Sequence, residues 1–107
     1  MSFHESSQNI RLEEDGRVLV ADLRNGAGDM VTARLDLNSV LGNSNGHFSW
    51  GDRDFSGSAS NIRLDFDPPF NLPILRANLI AADGTEVPRD VNLAERITNS
   101  DGRLELQ

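Results

Sequence analysis

The sequence predicts a single all-β domain with short 3-10 or helical turns, and three observations lead to that prediction. Apolar and polar residues alternate with a period of two through much of the chain, as they do in half-buried strands. Asn45-Gly46 and Asp101-Gly102 are dipeptides typical of tight hairpin turns. The chain also consists of two copies of one unit. Its 107 residues are enough for one compact domain, which we expect to span residues 1–107.

The two sequence repeats cover residues 1–51 and 52–107. The segment "FHESSQNIRL" (3–12) matches "FSGSASNIRL" (55–64), and "LDLNSVLGNSNGHFSW" (35–50) matches "VNLAERITNSDGRLEL" (91–106). The offset between copies grows from 52 to 56, so the second copy has four additional residues (56 − 52 = 4). They fall within "DFDPPFNLP" (65–73), which we expect to be an irregular loop because it is rich in proline.

Each copy is predicted to contain several strands and one short helical turn near its end. In the first copy, alternation places strands around residues 10–12, 18–23, 30–32 and 48–50. Asp36 and Asn92 precede the helical turns of the two copies, and both residue types are good N-caps. The repeat pairs Phe3 with Phe55 and Trp50 with Leu106. We interpret these four apolar residues as core, since such side chains are mostly buried.

Composition narrows the classes of partner and compartment. The net charge is −7, from 10 basic and 17 acidic residues, which disfavours binding to nucleic acid or to anionic membranes. No apolar run approaches the roughly 20 residues that span a bilayer. The chain has no cysteine, no visible signal peptide and no Asn-x-Ser/Thr sequon, so we expect a cytoplasmic or leaderless-exported protein.

The repeated motifs resemble those of the cyanovirin-N homolog (CVNH) lectin family, in particular a fungal-type member without disulfides. The features that resemble the family are the twofold repeat, the pattern Phe-x-x-Ser-x-x-Asn-Ile that opens each copy, and the segment at 35–50. The family's cysteine positions are occupied here by Ser7, Leu23, Ala59 and Leu79. The resemblance implies an intertwined, pseudo-twofold-symmetric cyanovirin-N-like fold. Its half B would span approximately 40–92, and its half A approximately 1–39 plus 93–107.

The resemblance also implies a lectin that recognises mannose-containing oligosaccharides, with α1,2-linked mannose as the expected ligand, through one shallow polar site in each half. Site B, the favoured one, would comprise Gly42, Asn43, Ser44, Asn45, Arg53, Asp54, Ser58, Ala82, Asp83 and Gly84. Site A would comprise Ser2, Glu5, Ser6, Arg24, Gly26, Asn99, Ser100 and Asp101. We favour site B because site A depends on the N-terminus, and chain termini tend to fray.

Taken alone, the residues of the two turns are compatible with more than one role. A sugar site needs clustered amides, carboxylates and hydroxyls, and both turns supply such groups. Asn, Asp and Ser also populate turns simply because they hydrogen-bond their own backbone. The alternative is therefore a protein-interaction or structural module that keeps the fold without binding sugar.

Catalysis and metal binding find little support in the sequence. None of the common nucleotide-binding, hydrolase or metalloprotease motifs occurs, so we expect no enzyme, with a hydrolase as the least favoured class. Neither turn fits a complete EF-hand loop, because Leu41 and Ile97 would occupy its first ligand position. We expect no metal, no cofactor and no membrane insertion. The expected state is a monomer, with a domain-swapped dimer possible through the short linker near Gly51–Asp52.

Overall fold

The computed structural model describes residues 3–107, which form ten β-strands and four 3-10 turns. The strands are β1 (Ser7–Glu13), β2 (Val18–Arg24), β3 (Met30–Asp36), β4 (Leu41–Ser44), β5 (His47–Trp50), β6 (Ala59–Asp67), β7 (Leu72–Ile80), β8 (Glu86–Asn92), β9 (Ile97–Ser100) and β10 (Arg103–Leu106). The 3-10 turns are η1 (Phe3–Ser6), η2 (Leu37–Ser39), η3 (Phe55–Ser58) and η4 (Leu93–Glu95). Within this part of the chain, no helix is long and apolar enough to cross a membrane.

Each sequence repeat folds into the same succession of elements. A 3-10 turn leads into a three-stranded antiparallel sheet, ordered β1-β2-β3 or β6-β7-β8, and a second 3-10 turn then leads into a hairpin, β4-β5 or β9-β10. The predicted caps are confirmed: Asp36 accepts a hydrogen bond from the Asn38 backbone N–H at 3.0 Å, and Asn92 accepts one from Ala94 at 2.9 Å. The predicted all-β class with short 3-10 turns is also confirmed.

The two copies are intertwined because each hairpin leaves its own sheet. The β4-β5 hairpin of the first copy contacts β8 and η3 of the second copy, and the β9-β10 hairpin contacts β3 and η1 of the first. Neither copy therefore completes its core alone. This exchange also brings the turn of each hairpin against the sheet of the other copy.

One hydrophobic core is shared by both copies. Phe3 and Phe55 are fully buried in it, as the repeat predicted. Trp50 and Leu106 are only partly buried and pack against its edge. The Phe48 ring lies 5.9 Å from the Phe55 ring with an interplanar angle of 54°, which links a hairpin strand to the centre of the core.

The expectation of an irregular loop over residues 65–73 is wrong. Strand β6 continues to Asp67 and β7 begins at Leu72, so only residues 68–71 form the turn. Strands β6 and β7 have nine residues each, whereas β1 and β2 have seven, so the four additional residues lengthen a paired hairpin. Proline misled the prediction because Pro68 and Pro69 lie in the turn itself, while Pro73 lies next to the start of β7.

Candidate functional site

The hairpin turns of the two copies have the same backbone geometry. Asn45 and Gly46 have φ angles of 50° and 83°, and Asp101 and Gly102 have φ angles of 51° and 87°. Positive φ at both central residues is the requirement of a two-residue type I′ turn, which Asn-Gly and Asp-Gly meet most readily. The turns therefore form for a local reason, and their position against the opposite sheet comes from the exchange of hairpins.

At the predicted site B, the Asn43 side chain joins three separate segments. Its Nδ2 donates to Ser58 Oγ at 2.8 Å and to the Ile80 carbonyl at 2.8 Å. Its Oδ1 accepts from the Gly46 N–H at 2.8 Å. Both amide hydrogens and the carbonyl oxygen of Asn43 are thus engaged within the fold.

The loop after β7 is attached to the same turn by a second asparagine. Asn45 Oδ1 accepts a hydrogen bond from the Ala82 N–H at 2.9 Å. Asp83 and Gly84 follow in that loop, and both are exposed. The turn at residues 43–46 and the loop at residues 81–84 therefore form adjoining walls of one surface region.

A third wall comes from the segment that links the two copies. Gly42 pairs with Asp54 in an isolated β-bridge. A Cβ atom on Gly42 would lie 2.6 Å from Asp52 Cβ and 2.9 Å from the Arg53 carbonyl, so the absence of a side chain lets this segment close against β4. Asp54 has a φ of 63°, and its N–H donates to the Asn38 carbonyl at 2.9 Å.

Several polar side chains of site B stay available to solvent. Ser44, Arg53 and Asp54 are exposed, and none of them makes a side-chain hydrogen bond or ion pair within residues 3–107. Asp83 Oδ1 accepts from the Thr85 N–H at 3.0 Å. This backbone bond, and then one from the Thr85 side chain, lowers the pKa of Asp83. The region therefore carries exposed hydroxyl, guanidinium and carboxylate groups.

Site A has the same framework of hydrogen bonds, made by the equivalent residues of the other copy. Asn99 Nδ2 donates to Ser6 Oγ and to the Arg24 carbonyl, both at 2.9 Å, and its Oδ1 accepts from Gly102 N–H at 2.8 Å. Asp101 Oδ1 accepts from the Gly26 N–H at 2.7 Å.

The remaining residues predicted for site A lie beside this framework or outside the structure's range. Ser100 adjoins the framework on β9, and Glu5 belongs to η1, which also carries Ser6. Ser2 lies outside the described residues. Bonds within the described residues thus connect Asn99 with Ser6 and Arg24, and Asp101 with Gly26.

Sequence reasoning missed the groups that complete each framework. The carbonyls of Ile80 and Arg24 accept from the two asparagines, and a backbone acceptor carries no sequence signal because every residue has one. Asn38 was also missed: its Nδ2 donates to Ser56 Oγ at 2.7 Å, and its Oδ1 accepts from the Ser56 N–H at 3.0 Å. The second copy has Ala94 at the equivalent position, so this bond is specific to site B.

The chemistry that this arrangement supports is hydrogen bonding on a surface. Among the residues that the structure describes, no polar or charged side chain is buried in the core. In that same range, no group of three or more His, Asp or Glu side chains is arranged to hold a metal ion. Exposed hydroxyl, amide and charged groups around a rigid turn are suited to a polar ligand rich in donors and acceptors.

Comparison with known proteins places this chain in a family. The CVNH domain family matches residues 3–105. A cyanovirin-N homolog of Neurospora crassa is 39% identical over 110 residues, covering 98% of this chain and 97% of that protein. The NMR structure of GzCVNH from Gibberella zeae has a TM-score of 0.91 and 54% identity, covering 97% of this chain and 95% of that one. The crystal structure of a MoCVNH3 variant in complex with (N-GlcNAc)4 has a TM-score of 0.83 and 25% identity, covering 98% and 96%. The chain therefore belongs to the CVNH family, whose members are lectins and not enzymes.

Proposed function

We propose that this protein recognises mannose-containing oligosaccharides, with terminal α1,2-linked mannose as the preferred ligand, and that site B is its principal site. The observation that carries the proposal is the group of exposed, unpartnered side chains of Ser44, Arg53 and Asp54 around a rigid turn. Each sugar hydroxyl both donates and accepts hydrogen bonds, so it is complemented by neighbouring groups of mixed polarity.

In this proposal Asn43 at site B and Asn99 at site A hold the protein segments together, and other groups contact the sugar. Asn43 is fully hydrogen-bonded inside the protein, so its amide holds the walls of site B together. Arg53, Asp54 and Asp83 supply the charged donor and acceptors at the rim. Charge-assisted hydrogen bonds are roughly twice as strong as neutral ones, which suits a shallow site.

Site B is favoured over site A for a structural reason as well. Asn38 Nδ2 donates to Ser56 Oγ at 2.7 Å and Asn38 Oδ1 accepts from the Ser56 N–H at 3.0 Å, so η3 is held in place beside site B. The second copy has Ala94 at the position of Asn38 and lacks these side-chain bonds. We expect site A to bind the same class of ligand more weakly.

Chitin oligosaccharides are the second candidate ligand. The MoCVNH3 variant, which has the same fold and 25% identity, was solved with (N-GlcNAc)4. Both candidates are neutral pyranose oligomers, so a direct comparison of the two is part of the test.

The proposal is tested by ¹⁵N–¹H NMR titration with α1,2-linked mannobiose and, separately, with chitotetraose. We expect mannobiose to shift the amides of residues 42–45, 53–54 and 81–84, and Asp54→Ala to weaken that binding. Asp15→Ala is a matched control, because Asp15 is also exposed, has a φ of 58° beside the 63° of Asp54, and makes no side-chain bond within the described residues.

The outcomes separate the alternatives. Equal affinities in the two variants would reject site B as the binding region. Stronger binding of chitotetraose would replace mannose with a chitin oligosaccharide as the ligand. If neither sugar moves any amide at millimolar concentration, sugar binding is rejected and the protein-interaction module becomes the better interpretation.

A further inference from the structure

The lengthened β6-β7 hairpin carries the most exposed large apolar side chains among the described residues. Phe70 is 72% exposed and Phe66 is 45% exposed. Both belong to the part of the second copy that the four additional residues extend, and the shorter β1-β2 hairpin has no aromatic residue at its tip. Two exposed aromatic rings at one tip are more than the single scattered apolar side chains of an ordinary surface.

The base of this hairpin is braced by one arginine. Arg76 on β7 pairs with Asp65 at 2.8 Å and with Asp67 at 3.1 Å, both on β6, and with Asp90 on β8 at 2.9 Å. Phe66 lies between the two β6 aspartates in sequence, so its side chain projects from the opposite face of the strand. Phe66 is thus held on a strand that the ion pairs of Arg76 tie to β7 and, through it, to β8 before any ligand binds, which reduces the entropic cost of binding.

Phe66 and Phe70 line a cavity between the hairpin tip and the start of β1. The cavity has a volume of 600 Å³, and the residues that complete it are His4, Ser7, Gln8, Asn9, Ile10 and Asn71. We call it the aromatic cavity. Gln8 and Asn71 are exposed and make no side-chain hydrogen bond within residues 3–107.

The lining of the aromatic cavity contains no carboxylate, although the chain has a net charge of −7. The larger groove between β5 and β8, of 730 Å³, differs because Asp67, Asp90 and Glu95 line it together with Arg89. Amides, a hydroxyl and exposed aromatic rings complement a neutral ligand that has both hydroxyl groups and an apolar face. A pyranose ring has these two properties.

We propose that the aromatic cavity is a third carbohydrate-binding site, in which Phe70 stacks against the apolar face of a pyranose ring. The free amides of Gln8 and Asn71 bind the hydroxyls at the edge of the ring. The choice of a sugar as the ligand rests on the proposed function, but the site shares no residue with site A or site B. It adjoins site A, because η1 contributes His4 to the cavity and Ser6 to that site.

The test uses the full chain and the same two sugars, α1,2-linked mannobiose and chitotetraose, in a ¹⁵N–¹H titration. We expect one of them to shift the backbone amides of Gln8, Asn9 and Asn71 and the side-chain NH₂ signals of Gln8 and Asn71. Phe70→Ala should lower the affinity measured at these signals by about three- to tenfold, the range for loss of one aromatic contact. Phe70→Tyr should restore it, whereas Phe70→Leu, which keeps an apolar side chain without a ring, should not. Ser44 signals at site B should give the same affinity in all variants.

Each result decides for or against the cavity independently of site B. Shifts at Ser44 without shifts at Gln8 and Asn71 would overturn the third site and leave the proposed function intact. Shifts at the cavity alone would support the third site and reject site B. Absence of all shifts would overturn both. If signals of residues 66–71 change with protein concentration in the absence of sugar, and sedimentation shows a dimer, the occupant is a second copy of the chain and the proposal fails.

Discussion

Asn43 and Asn99 should contribute to folding stability as strongly as core residues do, although both are only half-buried. Asn43→Ala removes three hydrogen bonds, to Ser58, from Gly46 and to the Ile80 carbonyl, each 2.8 Å long. A hydrogen bond contributes about 0.5–1.5 kcal/mol net, and water can replace part of these because Asn43 is half-buried. We therefore expect the free energy of unfolding to fall by about 2 kcal/mol, from the lower half of that range.

This loss is large enough to measure by thermal and urea unfolding followed by far-UV circular dichroism. For a domain of this size, 1 kcal/mol lowers Tm by about 4–8 °C, so Asn43→Ala should melt about 10 °C lower. Ser44→Ala is the control, since the neighbouring Ser44 is exposed and its side chain makes no bond in the described part of the protein. Its free energy of unfolding should change by less than about 0.5 kcal/mol.

The repeat supplies a second, independent check. Asn99 makes the same three bonds at 2.8–2.9 Å, so Asn99→Ala should cost a similar amount, and the double variant should lose about 4 kcal/mol because the two residues share no partner. If Asn43→Ala unfolds at the same urea concentration as Ser44→Ala, these bonds do not hold the hairpin to the sheet and the reasoning is refuted. In that case, any loss of sugar affinity in Asn43→Ala would come from a lost contact with the sugar and not from a change in the fold.

Three further predictions concern the turns, the caps and pH. In urea unfolding, Gly102→Ala should lower the free energy of unfolding by about 3 kcal/mol and Gly28→Ala by about 1 kcal/mol. Both glycines have φ near 87°, but only a Cβ on Gly102 would lie 2.6 Å from a methyl group of β3. Equal losses would exclude the clash as the cause. The pKa of Asp22 is lowered by the hydrogen bond from Asn9 and then by one from a threonine hydroxyl on β3. The stability that the Asp22 carboxylate contributes is therefore present above its ordinary pKa of 3.8 and is lost as pH falls through its folded-state pKa. Asp22→Asn should accordingly show a shallower decline in unfolding free energy below that pH, and an identical pH profile would count against this bond. Asp36→Ala should lower stability by about 1 kcal/mol in a thermal melt, through loss of the cap of η2, and an unchanged Tm would show that the cap is dispensable.

The elements whose cause is local could be predicted from the sequence. Alternation predicted β1, β2, β3 and β5 of the first copy but not the short strand β4. The dipeptides Asn45-Gly46 and Asp101-Gly102 predicted turns that the structure confirms with positive φ at every central residue. Asp36 and Asn92 were identified as caps because a short polar side chain before an apolar turn satisfies the first backbone N–H groups. At residues 65–73 the proline-rich composition predicted an irregular loop, and this prediction was wrong. Strand pairing extends β6 and β7 up to the turn that contains Pro68 and Pro69.

The same distinction between local and long-range causes applies to the candidate sites. The sequence by itself determined the all-β class, the turns and the caps, because each follows from neighbours a few positions apart, and its two similar halves showed the duplication. The residues of sites A and B were predicted from the resemblance to a family. Only the tertiary structure decided which of their polar groups are hydrogen-bonded within the fold and which remain available to a ligand. Asn43 bonds to partners 15 and 37 positions away, and Asn99 bonds to partners 93 and 75 positions away, so their amides are engaged in the fold while Ser44, Arg53 and Asp54 stay available. The physical reason is that the exchange of hairpins sets these long-range contacts, and no local propensity encodes which sheet a hairpin will pack against.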